Sequence, residues 1–153
     1  MRRAVIYVDG QSLHHDLRNL GLQERDIHWT NFFRYVIPSD HEFVRAYWYH
    51  PAMVAEQDWN PRLITSIHTK GGSDQPLDEF EEHARRWYLE EVERLKGIQS
   101  MVHQRIMLNF DRIEFRYVGV LKVDPFTQKR IGEKGVDVGL AVDMVTRCHL
   151  YDT

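Results

Sequence analysis

The sequence contains almost no cysteine. Cys148 is the only one among 153 residues, so the chain can form neither an internal disulfide nor a cysteine-rich structural zinc site. The chain also lacks a run of about 18 apolar residues, the length that predicts a transmembrane helix. Near the amino terminus, Asp9 interrupts the apolar segment before the core of a signal peptide could form. We therefore expect a soluble, cytoplasmic protein that does not contact a membrane.

Charge of one sign is not in large excess either. Twenty Lys and Arg stand against 23 Asp and Glu, which gives a net charge of −3. This balance excludes a strongly basic protein that coats nucleic acid and an acidic disordered chain, although it permits a local basic patch. The sequence has no internal repeat and no glycine-rich phosphate loop. None of the nine histidines forms a pair with convincing zinc-ligand spacing.

Strand-like and helix-like patterns alternate along the chain, whose length predicts a single domain, residues 1–153. Alternating strands and helices predict an α/β fold with a mostly parallel sheet. In the last helix, Val138, Ala141, Val142 and Val145 have the spacing of a stripe that faces the core. The predicted strands are residues 4–8, 43–49, 113–123 and a short arm at 129–131, and the predicted helices are residues 12–20, 30–36, 78–103 and 134–149, with 52–76 irregular.

Two carboxylates occupy positions where α/β proteins place functional groups. Asp9 follows the first strand, and sites in such sheets form beyond the carboxyl ends of strands. Asp137 lies in the first turn of the last helix, where a negative side chain is favoured. Two carboxylates in one cleft repel each other unless a cation joins them, and oxygen ligands suit Mg²⁺ or Mn²⁺. Each residue also has a purely structural interpretation, Asp9 as a helix N-cap and Asp137 as a first-turn residue.

A third carboxylate, Asp143, lies six residues after Asp137 in the same predicted helix. At 3.6 residues per turn the two are about 240° apart around the helix, so they do not share a face. Direct binding of one ion by both is therefore not expected from helix geometry. A role in holding a neighbouring loop or cap is the alternative for Asp143.

Two segments together resemble the motifs of the NYN domain family, the LabA-like branch of the PIN-like nucleases. Residues 5–13 read Val-Ile-Tyr-Val-Asp-Gly-Gln-Ser-Leu, and residues 134–144 read Lys-Gly-Val-Asp-Val-Gly-Leu-Ala-Val-Asp-Met. The resemblance implies a PIN-like, Rossmann-like three-layer sandwich and metal-dependent hydrolysis of RNA phosphodiesters by an activated water. By matching position, it implies that Asp9 and Asp137 are catalytic metal ligands and that Asp143 is a further family acid at the metal site.

The resemblance also has two departures from the family pattern. Ser12 stands where the family usually has Asn, and we expect it to keep a polar contact with RNA. The last strand of the family, with its Ser-Gly-Asp-Ser-Asp-like loop, is expected to be lacking from this chain. Lys129, Arg130 and Lys134 surround a predicted turn and are expected to contact RNA phosphates, with a solvated hairpin as the alternative.

The sequence therefore supports two functional hypotheses. The first is a ribonuclease that uses Mg²⁺ or Mn²⁺ at Asp9 and Asp137. The second is a catalytically silent NYN fold that binds RNA or a protein partner in a regulatory role. A homodimer is also expected, because an open sheet edge invites pairing with a second copy.

Overall fold

The computed structural model describes residues 1–151, within which strands and helices alternate. No helix in this part of the chain is long and apolar enough to cross a membrane. A six-residue π-helical segment, Ile98–His103, joins the fourth helix to the fifth. The strands are β1 (Arg2–Asp9), β2 (His41–His50), β3 (Met53–Val54), β4 (Ile113–Tyr117), β5 (Val120–Asp124) and β6 (Lys129–Lys134), and the helices are α1 (Gly10–Asn19), α2 (Trp29–Val36), α3 (Pro61–Lys70), α4 (Leu77–Gly97), α5 (Gln104–Asn109) and α6 (Val136–Arg147).

The first sheet contains three parallel strands in the order β1-β2-β4. The central strand β2 is buried on both faces, since Tyr47, Trp48 and Tyr49 are all buried. This is the arrangement expected of a parallel sheet covered by helices. The outer side of β1 has no strand partner among residues 1–151, and the homodimer expected from an open sheet edge stays a prediction.

Helices cover both faces of this sheet, which confirms the α/β class. On one face, Trp29 and Phe33 of α2 pack with Trp48 and Phe115 in the largest apolar core. On the other face, α6 contributes Val136 to a cluster with Tyr47 and Tyr49. Burying large aromatic side chains on both sides of β2 fixes the positions of the helices relative to the carboxyl edge of the sheet.

The second sheet has the order β3-β5-β6, with β5 and β6 antiparallel. It packs against α4 through Val54, Leu95, Leu121 and Val123. The short predicted arm at residues 129–131 is confirmed, since β6 pairs back on β5. The predicted single strand over residues 113–123 is wrong, because the chain leaves the first sheet after β4 and enters the second at β5.

The segment predicted to be irregular, residues 52–76, contains the ten-residue helix α3. Two sequence signals mark the start of this helix. The Asn60 side chain caps it by accepting a hydrogen bond from the Arg62 N–H, and Pro61 occupies the first turn. Only Ile64 of this helix is fully buried, so its apolar periodicity is weak. The weak periodicity explains why the pattern of apolar residues does not reveal the helix.

The apolar stripe of α6 points away from the core, contrary to the sequence prediction. Val138, Val142 and Val145 are 61%, 53% and 74% exposed, and Ala141 is also exposed. The side of α6 that packs on the sheet instead carries Val136, Leu140 and the polar Asp143. The spacing of apolar residues alone predicts the wrong face of α6. The face that packs on the sheet includes Asp143, whose carboxylate accepts a hydrogen bond from the Tyr49 hydroxyl.

Substitutions on the two sides of α6 are expected to differ in their effect on stability. Val145→Lys should change the free energy of unfolding by less than about 0.5 kcal/mol, as surface substitutions usually do. Leu140→Ala should lower it by about 1–3 kcal/mol, because Leu140 packs in the Tyr47–Tyr49–Val136 cluster. Urea denaturation measures both. A larger loss for Val145→Lys than for Leu140→Ala would contradict the orientation of α6.

Candidate functional site

Asp9 ends β1 and caps the helix that follows. Its Oδ1 accepts hydrogen bonds from the backbone N–H groups of Gln11 and Ser12, each at 3.1 Å. The N-cap interpretation of Asp9 is therefore confirmed. The second oxygen, Oδ2, has no hydrogen-bond partner among residues 1–151, and the residue is exposed. Capping α1 thus leaves one oxygen available to bind another group.

Gly10 allows α1 to begin directly against the end of β2. A Cβ atom on Gly10 would lie 2.5 Å from the carbonyl oxygen of Tyr49 and 2.7 Å from Nε1 of Trp48. Any larger residue would therefore push α1 away from the sheet. The Asp-Gly pair of the first motif holds the Asp9 carboxylate at the carboxyl edge of β1, beside the end of β2.

The second motif positions Asp137 in a similar way. Gly135 adopts the left-handed region with φ 86°, which favours glycine, and is the N-cap of α6. The next residue, Val136, is buried against Tyr47 and Tyr49 and anchors the start of the helix. Asp137 follows in the first turn, where its side chain is exposed to solvent.

Glu133 of β6 is a third carboxylate, and it interacts electrostatically with the two motif aspartates. Burial, together with repulsion from Asp9 and Asp137, raises the pKa of Glu133 to about 7. Both aspartates therefore lie within electrostatic range of Glu133. Glu133 is not among the sequence-predicted site residues, since it lies in an arm predicted to be basic. No sequence pattern marks it, because its interaction with Asp9 depends on the fold.

Removing the Glu133 charge is expected to stabilise the metal-free protein at high pH. The folded-state pKa of about 7 lies above the usual 4.5, so stability falls as the pH rises from about 4.5 through 7. Glu133→Gln should therefore raise the free energy of unfolding by about 1–2 kcal/mol at pH 8 and change it little at pH 4. Chemical denaturation at the two pH values measures the difference. An equal effect at both pH values would show that the pKa of Glu133 is not raised in the folded protein.

Asp143 lies elsewhere on α6 and makes different contacts. The Tyr49 hydroxyl donates a hydrogen bond to Asp143 Oδ2 at 2.6 Å, and Nε of Arg147 lies 3.9 Å from Oδ1. Burial and the neighbouring Asp143 carboxylate raise the pKa of the Tyr49 hydroxyl. Asp143 does not contribute to the raised pKa of Glu133. Its observed contacts hold α6 against the first sheet.

A cleft of about 700 Å³ opens beside Glu133, between α1, the end of β2, α4 with its π-helical continuation, and β6. Asp9 and Asp137 are not among the residues that line it. Of the residues predicted to bind RNA, Ser12 and Arg130 line it, and so does Glu133. Lys129 and Lys134 are exposed at the two ends of β6 and do not line the cleft. The structure thus brings together two of the four predicted RNA contacts.

The carboxylates provide few protein ligands for a metal ion. Within residues 1–151, no group of three or more His, Cys, Asp or Glu side chains is arranged to hold one. Mg²⁺ is commonly bound by only one or two carboxylates, with water and substrate phosphates completing its coordination. Asp9 and Asp137 fit such a site, since both are exposed and both repel Glu133. A cation between them would relieve that repulsion.

Comparisons of the chain with protein-family models, curated proteins and solved structures gave no match.

Proposed function

We propose that the protein is a metal-dependent ribonuclease of the NYN, PIN-like type, with Asp9 and Asp137 as its metal-binding carboxylates. The observation that carries this proposal is the placement of the two motif aspartates. Asp9 caps α1 at the carboxyl end of β1 and is exposed, and exposed Asp137 follows Val136, which packs on Tyr47 and Tyr49 of β2. This placement supports a site at the edge of the sheet where α/β proteins bind ligands, and the common effect of both aspartates on Glu133 agrees with it. The parallel sheet with helices on both faces is compatible with the proposed three-layer sandwich.

Each side chain has a distinct role in the proposed reaction. Asp9, held in place by the α1 cap, and Asp137, held in place by Val136, bind the ion through their carboxylate oxygens. A bound Mg²⁺ or Mn²⁺ supplies an activated water and stabilises the charge on the phosphate. Burial and the two aspartates raise the pKa of Glu133 in the metal-free protein, and an ion bound at the aspartates would oppose their effect and leave Glu133 as an ionised carboxylate that can accept a proton. Ser12, Lys129, Arg130 and Lys134 contact the RNA strand.

The proposal is tested with purified protein and single-stranded RNA labelled at its 5′ end. We expect shortened products in Mn²⁺ or Mg²⁺ and none in EDTA, because the phosphodiester is not attacked without the ion. The activity should elute with the protein through two successive columns. Cleavage that persists at the same rate in EDTA would contradict the proposal.

A catalytically silent RNA-binding module is the second candidate. The absence of a group of three metal-ligating side chains within residues 1–151 favours it over an enzyme. The same labelled RNA separates the two, since a silent module binds RNA but leaves it intact in every metal. Binding without cleavage in Mn²⁺, Mg²⁺ and Ca²⁺ would select this second function.

A further inference from the structure

A buried carboxylate in α4 holds two arginines at the cleft. Glu91 is 5% exposed, and its oxygens accept hydrogen bonds from Nε and Nη2 of Arg130 at 2.7 and 2.8 Å. Nε of Arg94 donates to the same two oxygens at 3.2 and 3.1 Å. We call these three residues the Glu91 clamp. Both arginines line the cleft described above.

The Glu91 clamp has more positive charge than its internal pairing requires. One carboxylate and two guanidinium groups leave a net charge of +1 at the cleft wall. The Nη1 atoms of Arg94 and Arg130 have no hydrogen-bond partner in the described part of the chain. A planar guanidinium that is fixed through its other nitrogens is well suited to bind an oxyanion.

His103 and Trp48 form part of the cleft wall, and both line it although they are 4% and 2% exposed. The Tyr117 hydroxyl pairs with His103 Nδ1. The two rings pack against Phe115, with centroid distances of 4.0 Å for His103 and 5.0 Å for Trp48. They therefore shape the interior of the cleft and do not present a free face for a base to stack on.

The cleft adjoins the elements that carry the proposed catalytic carboxylates. Ser12 of α1, three residues after Asp9, and Glu133 of β6, four residues before Asp137, line it together with the two arginines. Asp9 and Asp137 themselves are not among the residues that line it. An RNA strand bound at the arginines would therefore pass Ser12 and Glu133 and leave the cleft to reach the two aspartates.

We propose that the Glu91 clamp is a phosphate-binding subsite, in which Arg94 and Arg130 bind a backbone phosphate of single-stranded RNA. The adjoining nucleotide then occupies the interior of the cleft beside His103 and Trp48. The choice of RNA as the ligand rests on the proposed function, whereas the anion site rests on the clamp itself. Glu91 is a positioning residue, since it acts on the ligand through the two guanidinium groups.

Fluorescence anisotropy of a labelled single-stranded RNA of about ten nucleotides tests this subsite. The measurements are made in EDTA, so that neither cleavage nor metal binding contributes. Arg94→Gln and Arg130→Gln should each weaken binding about 5- to 20-fold, and each should reduce the salt dependence of log Kd by about 0.7. The control is Arg86→Gln, an exposed α4 residue paired only with Glu82 at 3.8 Å. It should bind RNA within about twofold of the wild type.

Arg130→Lys separates a loss of binding from a loss of folding. This variant keeps the positive charge but loses the bidentate hydrogen bonding with the Glu91 carboxylate. We expect weaker binding with an unchanged salt slope and a near-wild-type melting temperature. Affinities of Arg94→Gln and Arg130→Gln within about twofold of Arg86→Gln would overturn the subsite. Tighter binding of the same sequence as DNA would overturn RNA as its ligand.

The same experiment distinguishes the subsite from the proposed nuclease. In EDTA, the double variant Asp9→Asn with Asp137→Asn should bind RNA at least as tightly as the wild type, because it lacks two negative charges near the strand. If the clamp variants bind normally but the double variant loses cleavage, the subsite fails and the nuclease stands. If the clamp variants lose binding and no metal produces cleavage, the nuclease fails and the subsite stands.

Discussion

Asp9→Asn and Asp137→Asn are each expected to lower the rate of Mn²⁺-dependent RNA cleavage by at least about 100-fold. Even residues that only support a metal ligand cost about 10–100-fold when they are replaced, and these two carboxylates are the proposed ligands themselves. The measurement is the initial rate on labelled single-stranded RNA at saturating Mn²⁺. Asp111→Asn is the matched control, since Asp111 is exposed, does not line the cleft, and precedes β4 at the amino-terminal edge of the sheet.

Neither aspartate substitution should unfold the protein, which makes the rate measurement interpretable. Asn is as good an N-cap as Asp, so Asp9→Asn keeps the hydrogen bonds to the Gln11 and Ser12 N–H groups. Asp137 is exposed, and within residues 1–151 its side chain accepts no hydrogen bond that would stabilise α6. If the cleavage rates of both variants stay within about threefold of Asp111→Asn, the assignment of these aspartates is wrong.

Glu91→Gln is expected to cause the largest loss of stability. The two arginines hold the pKa of Glu91 at about 2, well below its usual 4.5. A lowered carboxyl pKa stabilises the folded state above about pH 4.5, and that stabilisation is lost as the pH falls through about 2. At about 1.4 kcal/mol per pKa unit, the lowering of the Glu91 pKa corresponds to about 3 kcal/mol of folding stability at neutral pH. Removal of one partner from a buried ion pair has a cost of similar size.

The pH dependence separates this effect from a general loss of packing. Urea denaturation should show a deficit of about 3 kcal/mol for Glu91→Gln at pH 7 and a much smaller one near pH 2. The matched control is Glu93→Gln, because the Glu93 carboxylate is exposed and its ion pair in the described part of the chain is with exposed Lys96, at 3.1 Å. A deficit that is equal at both pH values would show that Glu91 is not stabilised as a charged group.

The local parts of the site could be predicted from the sequence. The apolar run of β1, the Asp-Gly pair and the Gly135-Val136-Asp137 segment are contiguous, and each element is formed by neighbouring residues. Their positions at the carboxyl end of a parallel strand and at a helix start follow from local rules. Helices on both faces of the sheet likewise follow from the continuous burial of β2.

The contacts between distant segments could not be predicted in this way. Glu91 and Arg130 are 39 residues apart, and no pattern along the chain indicates that they meet. Asp143 is against the sheet because Tyr49, 94 residues away, donates a hydrogen bond to it. The raised pKa of Glu133 similarly depends on Asp9, which belongs to the other end of the sequence. Such pairs depend on the packing of the whole chain.

Calorimetric titration of Mn²⁺ into the wild-type protein and into Asp137→Asn tests the metal site most directly. We expect saturable binding to the wild type near neutral pH and none to Asp137→Asn over the same concentrations. Binding should also release protons, measured as a dependence of the heat on the buffer, because Glu133 carries a proton near pH 7 in the absence of metal. No saturable binding to the wild type, or equal binding to Asp137→Asn, would contradict a metal site at these carboxylates.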